Sequence, residues 1–577
     1  SIYLAITEGK SDSFNCDRVM AMLKYAAEME LLTQAQARDY LGAHFAKAIQ
    51  APPHYNHDQI CQLLLDRYLF PHLTGKSPRA KFNLLIFMAK RLLSLVKGDV
   101  IPDNMDAISF HELLTPGTLW LAVLSDGISD FLRRCAFQIT RTEQLNYSDF
   151  QTIESILNKN CSIVEKKLRY LFSTGQIRGN STLGLSQVDG LSIIAERINY
   201  MRYLAHFRSV HRGAFFTTMK TTAVRKLLPE SWGFMCPVHT PDGGLCGLLN
   251  HLARNCKVVC GIERGATESI EVLTSNGMVP FFINNGCPCI VDGEVVGYVP
   301  EVLSELCVSE LKKSRLQGKI AETAEIVSLP AGGFTRSIYV FTNQQRMMRP
   351  VMNNRLKKVE FIGPLEQIFL LIGALPTDKN MPYCEVNQTS MLSLVASLTP
   401  FSDFNQSPRN MYQCQMAKQT MGYPQHNECA KTESKTYHVH YPQLPIVRNS
   451  TQDSHALLDF PLGTNAVVAV LSYTGYDMED ALILNKASVE RGFGHGCIYK
   501  THRYIAKDIE PNGVFSNSRD GQIIDNELDE DGFPFVGSRM QQGSKILRVV
   551  NSKDQKERIM RYKDSEEGVV DQVIASS

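Results

Sequence analysis

Three carboxylates fall close together in the run NAVVAVLSYTGYDMEDALILNK, residues 465–486: Asp477, Glu479 and Asp480. Acids gathered at the end of an apolar strand can help hold Mg²⁺ and the phosphates it carries, because a hard cation takes oxygen ligands and leaves room for substrate. The same residues also suit a helix start. With VVAVL as a buried strand, Gly475 as the turn and ALILNKASVERG as a helix stopped at Gly492, Asp477 falls at the N-cap and Asp480 at the third helical position. All three acids then favour the positive end of the helix dipole. Local sequence leaves both readings open.

A second stretch, TPFSDFNQSPRNMYQCQMAKQTMG, is short of apolar residues and rich in groups that grip anions. Pro408 presets a helix start, and helical continuation puts Arg409, Tyr412 and Gln413 on one face, with Lys418 and Gln419 further along. A guanidinium that binds phosphate bidentately, beside an aromatic ring and amides, would make a nucleotide grip. The plainer alternative is a polar helix cap on a domain surface.

The third stretch, NYMRYLAHFRSVHRGAFFTTMKTTAVRKLLPESWG, contains no acid between Arg197 and Pro229. Arg202, Arg208, Arg212, Lys220, Arg225 and Lys226 alternate there with Tyr200, Tyr203, Phe207, Phe215 and Phe216. Cations neutralise phosphates and rings offer stacking faces, as a single-strand or junction surface needs. A solvated basic helix face over core aromatics would look the same in sequence. The following CPVHTPDGGLCGLLNHL marks a tight turn at Pro241-Asp242-Gly243-Gly244. Cys236 and Cys246, like the pairs Cys256/Cys260 and Cys287/Cys289, fit zinc spacing poorly and read as core residues. In HLTGKS, Gly75-Lys76-Ser77 has the ending of a phosphate loop, but Phe70 stands where its first glycine belongs.

The elements that must position these groups change along the chain. Up to about residue 205, runs such as DRVMAMLKYAAEMELL, TQAQARDYLGAHFAKAI, LWLAVLSDGISDFLRRCAF and IVEKKLRYLF place apolar residues at helical spacing. From about 256 the pattern becomes short β-branched runs: CKVVCGI, IEVLTSNGMVPFFI, CIVDGEVVGYV and SIYVFT, with Asp292-Gly293 as a hairpin signal. Strands and helices mix from about 386 to 500. After 503 the chain reads as loop-rich, with Asp525, Glu527, Asp529, Glu530 and Asp531 as a solvated acidic loop. The expected fold class is therefore α+β and multidomain.

The 577 residues imply several separate cores. Sixty Lys and Arg against 59 Asp and Glu leave a net charge of +1, so any nucleic-acid surface must be local. Fifteen scattered cysteines without disulfide-type spacing suit a reducing compartment. The most apolar run, FNLLIFMAKRLLSLVKG, is interrupted by Lys90 and Arg91 and reads as an amphipathic helix, not a membrane span. The opening SIYLAITEGK lacks Met and a signal-peptide layout, and EEGVVDQVIASS stops in what reads as mid-strand. Both ends suggest a piece of a longer polypeptide.

Together, HFRSVHRGAFFTTMKTTAVRKLLPESWGFMCPVHTPDGGLCGLLNHL, FSDFNQSPRNMYQCQMAKQTMG and SYTGYDMEDALILNKASVERGF resemble the second-largest, β-like subunit of multisubunit DNA-directed RNA polymerases. VHTPDG with GLLNHL, HRGAFF and KLLPESWG favour the polymerase I branch; the polymerase II and III branches look more like TPEG with GLVKNL. Leu245 stands where Pro is expected and Ala417 where Gly is usual. The alternatives are a polymerase II or III paralogue, or a nucleic-acid scaffold that has lost the chemistry.

The resemblance implies a division into lobe (1–105), protrusion (106–170), fork (171–255), external 1-like (256–340), external 2-like (341–385), hybrid-binding (386–502) and wall (503–577) segments. The hybrid-binding segment would form part of a β-barrel-like region. The resemblance further implies that Arg409 meets the phosphates of the incoming nucleotide, and that Tyr412, Lys418 and Gln419 line the same site or the RNA 3′ end. Glu479 and Asp480 would face the second, nucleotide-carried Mg²⁺, and Arg208, Arg212, Lys220, Arg225 and Lys226 would lie in the fork near DNA and the RNA–DNA hybrid. Mg²⁺ would be shared with the largest subunit, whose NADFDGD loop is absent here, so this chain would hold no metal alone and be inactive alone. Zn²⁺ is expected only in a C-terminal cysteine ribbon beyond Ser577. Other implied partners are the remaining core subunits, template DNA and NTPs, with ribosomal RNA synthesis in the nucleolus of the nucleus and no membrane.

Overall fold

The computed structural model describes residues 2–7, 13–49, 55–73, 75–141, 150–177, 187–261, 265–283, 286–375, 377–378, 380–426, 434–519, 522–553 and 556–575. Thr74 of the HLTGKS run lies outside them. The chain forms two units, one of residues 1–423 and 441–482, the other of residues 424–440 and 483–577. The architecture is α+β and multidomain, with helices first and sheets after.

In the first unit the helical spacing becomes Ser13–Glu28, Gln34–Ile49, Pro78–Lys97, Pro116–Arg141 and Ser162–Thr174. The amphipathic reading of Pro78–Lys97 holds: Ser77 caps its start, Gly98 ends it at φ 91°, and Ile86 and Phe87 turn inward. Lys90 rests over the Phe282 ring at 4.4 Å and Arg91 pairs with Asp103. Among the described residues no helix is long and apolar enough to cross a membrane.

A four-stranded sheet follows, in the order Glu294–Pro300, Gly286–Val291, Ser337–Phe341 and Glu325–Leu329. Its first hairpin turns at Asp292-Gly293, both left-handed at φ 47° and 84°, a geometry glycine and aspartate tolerate and larger residues resist. The segment IEVLTS departs from the expected strand and lies in the helix Ala266–Ser275. Burial explains this: Ser269 and Leu273, four residues apart, face the sheet, and packing overrides β-branched propensity. Cys287, Cys289 and Cys307 fill that same core, where burial pushes the Cys287 thiol up to about 11. Beside it stands a five-stranded sheet around Met347–Asn353.

A smaller core of the first unit joins sequence-distant pieces. Met201 and Ala205 of the helix Tyr200–His206 pack with Cys236, with Leu392–Ala396 and with Cys414 of the helix Ser407–Gln419. This core carries the candidate site.

In the second unit, Lys435–Val439 pairs with Gly496–Lys500, and Gly513–Phe515, Lys545–Asn551 and Glu557–Arg561 form a three-stranded antiparallel sheet. The strands among the described residues form open sheets and close no barrel. The acidic loop is less solvated than expected. Asp525 pairs with Lys545 at 2.5 Å and Arg548 at 3.3 Å, and Asp529 accepts from the Phe533 amide, so the loop folds onto the sheet through its charges.

Candidate nucleic-acid and nucleotide interface

The helix Ser407–Gln419 starts where Pro408 places it, at the first turn, where a missing N–H costs nothing. It is packed rather than lying free on the surface. Asn410 and Cys414 are buried, Asn410 donating to the Ser402 carbonyl at 2.8 Å and Cys414 sitting in the core described above. Arg409 and Tyr412 occupy the other side, the exposed guanidinium 5.7 Å from the ring centroid. Lys418 is half-buried and Gln419 exposed at the last turn. One rigid helix thus carries all four predicted nucleotide-binding residues.

Asn199 fixes the end of that helix. Fully buried, it donates through Nδ2 to the carbonyls of Ala417 at 2.8 Å and Thr420 at 2.6 Å, while its Oδ1 accepts from the Arg202 amide at 2.7 Å. One side chain caps the start of Tyr200–His206 and holds the end of Ser407–Gln419. An Asn just before a helical run signals the first role; nothing local in sequence signals the second. Asp242, in the predicted Pro-Asp-Gly-Gly turn, donates its amide to Gln415 at 3.4 Å, and the turn closes as the short 3₁₀ segment Gly243–Leu245.

The five predicted nucleic-acid cations divide. Arg208 donates through Nη2 to the carbonyls of Ala253, Arg254 and Cys256 at 2.7, 3.2 and 3.1 Å, and burial pushes its pKa down. Arg212 pairs with Asp106 at 2.6 Å, donates to the Val224 carbonyl and lies over Phe216. Arg225 gives Nη1 to the carbonyls of Gly244 and Cys246, both at 2.8 Å. These three arginines brace the basic-aromatic segment itself. Lys220 and Lys226 are exposed, as are Phe207 and Phe215, whereas Tyr200 stacks on Phe460 at 4.0 Å.

The acidic knot differs from both expectations for its local shape. Residues 465–472 form no strand and are exposed, and the helix after them covers only Lys486–Glu490, capped by Asn485. Asp477 is no N-cap: its Oδ1 accepts from the Tyr473 amide at 3.2 Å within an irregular turn. A strand needs a neighbour for its backbone groups, and none of the described residues forms a ladder with VVAVL. Glu479 and Asp480 both take left-handed backbone, φ 59° and 62°, which is costly for a glutamate. Both carboxylates are exposed. They share the first unit with Arg409, but among the described residues no hydrogen bond or ion pair links them to that helix.

Among the described residues no three His, Cys, Asp or Glu side chains converge to hold a metal ion. Burial pushes the Cys256 thiol up to about 12 and keeps it from serving as a ligand at neutral pH. Glu479 and Asp480 offer a hard-oxygen pair suited to Mg²⁺ that brings substrate phosphates with it, and too few donors for a closed site.

Three families match the chain: RNA polymerase Rpb2 domain 2 over residues 2–113, domain 3 over 193–258, and domain 6 over 395–577. The chain belongs to the second-largest-subunit family of DNA-directed RNA polymerases. Within that family it is 38% identical to the DNA-directed RNA polymerase I subunit RPA135 of Saccharomyces cerevisiae, over 97% of this chain and 49% of that protein. It is 38% identical to subunit rpa2 of Dictyostelium discoideum, over 99% and 53%, and 39% identical to subunit RPA2 of Homo sapiens, over 99% and 52%. The chain thus spans about half the length of the relatives it matches. The domain 3 match covers the basic-aromatic segment, and the domain 6 match covers both the Arg409 helix and the acidic knot.

Proposed function

We propose that this chain supplies part of the active centre of RNA polymerase I, which builds the ribosomal RNA precursor from NTPs on a DNA template in the nucleolus. The observation that carries the reading is the Arg409 helix: an exposed guanidinium over Tyr412, on a helix whose other side is locked by Asn410, Cys414 and Asn199. Positioning is what nucleotidyl transfer asks of a protein, because the reacting groups bring most of the chemistry themselves.

In this reading the RNA 3′ oxygen forms a bond to the α-phosphorus as the bond to the β-phosphate oxygen breaks, and pyrophosphate leaves. Arg409 holds the triphosphate through charge-assisted hydrogen bonds, and Tyr412, Lys418 and Gln419 line the nucleotide or the RNA 3′ end. Glu479 and Asp480 would share Mg²⁺ with the largest subunit, and Mg²⁺ supplies charge neutralisation at the attacking and leaving oxygens. Exposed Lys220 and Lys226, with the free donors of Arg225, meet DNA or hybrid phosphates, while Arg208 and Arg212 set the shape of that surface. In the same reading the chain would run through the seven segments from lobe to wall, and the other core subunits would complete the site.

Arg409→Ala in the assembled enzyme tests this. Loss of a charge-assisted contact worth roughly 1.5–3 kcal/mol should lower kcat/KM for NTP addition by about tenfold or more, with assembly unchanged. Wild-type nucleotide kinetics reject the assignment.

A further inference from the structure

The helix Ser407–Gln419 is held at its two ends by different residues. Near its start, Asn410 donates to the Ser402 carbonyl at 2.8 Å. The last carbonyls of a helix have no donor within the helix itself, and they need one when the end is buried. Here both amide hydrogens of Asn199 are spent on that end, one on the Ala417 carbonyl at 2.8 Å and one on the Thr420 carbonyl at 2.6 Å. The two carbonyls stand on either side of Lys418 and Gln419 in the chain. Whatever holds them therefore sets the backbone that carries both of those side chains. Asn199 is fully buried, and its Oδ1 is also used, accepting from the Arg202 amide at 2.7 Å.

The chain leaving that helix enters a tight junction around the same asparagine. A Cβ on the buried Gly422 would lie 3.0 Å from the Asn199 Cβ and 3.2 Å from both Leu462 Cδ2 and the Pro461 carbonyl oxygen, so any larger residue would force its neighbours apart. Tyr423 donates its amide to the Pro461 carbonyl at 3.0 Å, and Tyr200, next to Asn199, stacks on Phe460 with centroids 4.0 Å apart. Three stretches distant in sequence thus meet here: the start of the helix Tyr200–His206, the end of the helix Ser407–Gln419, and residues 460–462 upstream of the acidic knot. Close packing of this kind transmits displacement instead of absorbing it. Arg409 lies ten residues before Gln419, about 15 Å along the helix axis. A tilt released at the far end would move Lys418 and Gln419 and leave Arg409 nearly in place.

We propose that Asn199 is a positioning residue for nucleotide addition: it locks the end of the helix Ser407–Gln419 onto the start of the helix Tyr200–His206, with Gly422 permitting the close approach, and so sets where Lys418 and Gln419 stand. This rests on the reading that places those two residues at the nucleotide or the RNA 3′ end. The two roles of Asn199 are separable by chemistry. An aspartate at 199 still accepts the Arg202 amide, because Asp caps a helix start as well as Asn does. It turns an acceptor oxygen, in place of two donors, toward the Ala417 and Thr420 carbonyls, and so drives the helix end away.

The test is single-turnover nucleotide addition by the assembled polymerase, a rate that does not depend on how much of the enzyme is folded. Asn199→Asp should lower the maximal rate by about tenfold or more, as misplacing a positioned group does, and keep the half-saturating NTP concentration within about threefold of wild type, because Arg409 stays in place. Gly422→Ala wedges the same junction without removing a hydrogen bond, and should lower the maximal rate by about threefold or more. Lys418→Met/Gln419→Ala should also be slow. Adding Asn199→Asp to that pair should cost no further rate, because both changes act through the same two side chains. If Lys418→Met/Gln419→Ala adds nucleotides at the wild-type rate, the placement of Lys418 and Gln419 fails and the inference with it. If that pair is slow while Asn199→Asp or Gly422→Ala is normal, or if adding Asn199→Asp multiplies the loss, the positioning role alone is overturned. An Asn199→Asp enzyme that needs more NTP but reaches the wild-type maximal rate overturns it as well.

Discussion

Glu360 and Glu366 lie almost fully buried against Arg315, whereas Glu479 and Asp480 stand exposed on an irregular turn. In the first group Arg315 reaches Glu366 at 2.8 Å and Glu360 at 3.2 Å, Lys312 reaches Glu366 at 3.1 Å, and Asn353 donates to Glu360 at 2.5 Å. Burial alone would push the Glu366 carboxyl up, yet Arg315 and Lys312 hold it below its ordinary value. In the second group no side-chain cation among the described residues is paired with either acid. A buried carboxylate must find a partner inside the protein or the fold does not form. An exposed pair without one remains available to a ligand. The contrast separates carboxylates that build the molecule from those that can act on something outside it.

The largest effect should come from breaking the buried group. Arg315→Met leaves Glu360 and Glu366 without their shared cation, and the chain should lose about 3–5 kcal/mol. Denaturant unfolding checks this, and a change under 1 kcal/mol would mean that the charges relax into water. The next effect is pH-dependent. Glu325 lies 4% exposed beside the same network and accepts the Glu366 amide at 2.8 Å. Burial, helped by the charge of Glu366, raises its pKa to about 7 against the pull of that amide and Arg346. A carboxyl raised on folding binds its proton more tightly in the native state, so its contribution is complete below the unfolded value near 4.5 and is lost as pH rises through about 7. Glu325→Gln should remove that slope, worth up to about 3 kcal/mol across the window. Parallel pH profiles for both proteins would refute it.

These partners explain what sequence could and could not reveal. The Asp292-Gly293 hairpin, the helix Pro78–Lys97 and the helix begun by Pro408 were all legible, because each depends on residues within a few positions of one another. The IEVLTS helix was not, since the sheet it packs on is assembled from strands up to residue 341. Of the candidate site, Arg409 beside Tyr412 follows from helical spacing. That Arg208 would turn onto backbone carbonyls near residue 255, or that Asn199 would hold a helix end more than two hundred residues away, depends on tertiary contacts with no local trace. VVAVL shows the reverse case. Its pattern is that of a buried strand, yet pattern describes what a segment would do beside a partner and cannot supply the partner.

The smallest stability effect should fall on the exposed acids, and it decides between the two original readings of the knot. Asp480→Asn keeps the side-chain shape and suits the left-handed φ of 62°, because asparagine tolerates that region at least as well as aspartate. With no helix to cap and no side-chain partner among the described residues to lose, unfolding should shift by no more than about 0.5 kcal/mol. The lost charge should still matter to a metal-carried triphosphate, so elongation by the assembled enzyme should fall by about tenfold or more. A variant that loses more than 1 kcal/mol and elongates normally would restore the helix-cap reading. One that is stable and slow would show that Asp480, without a side-chain partner among the described residues, is held for a ligand outside the chain.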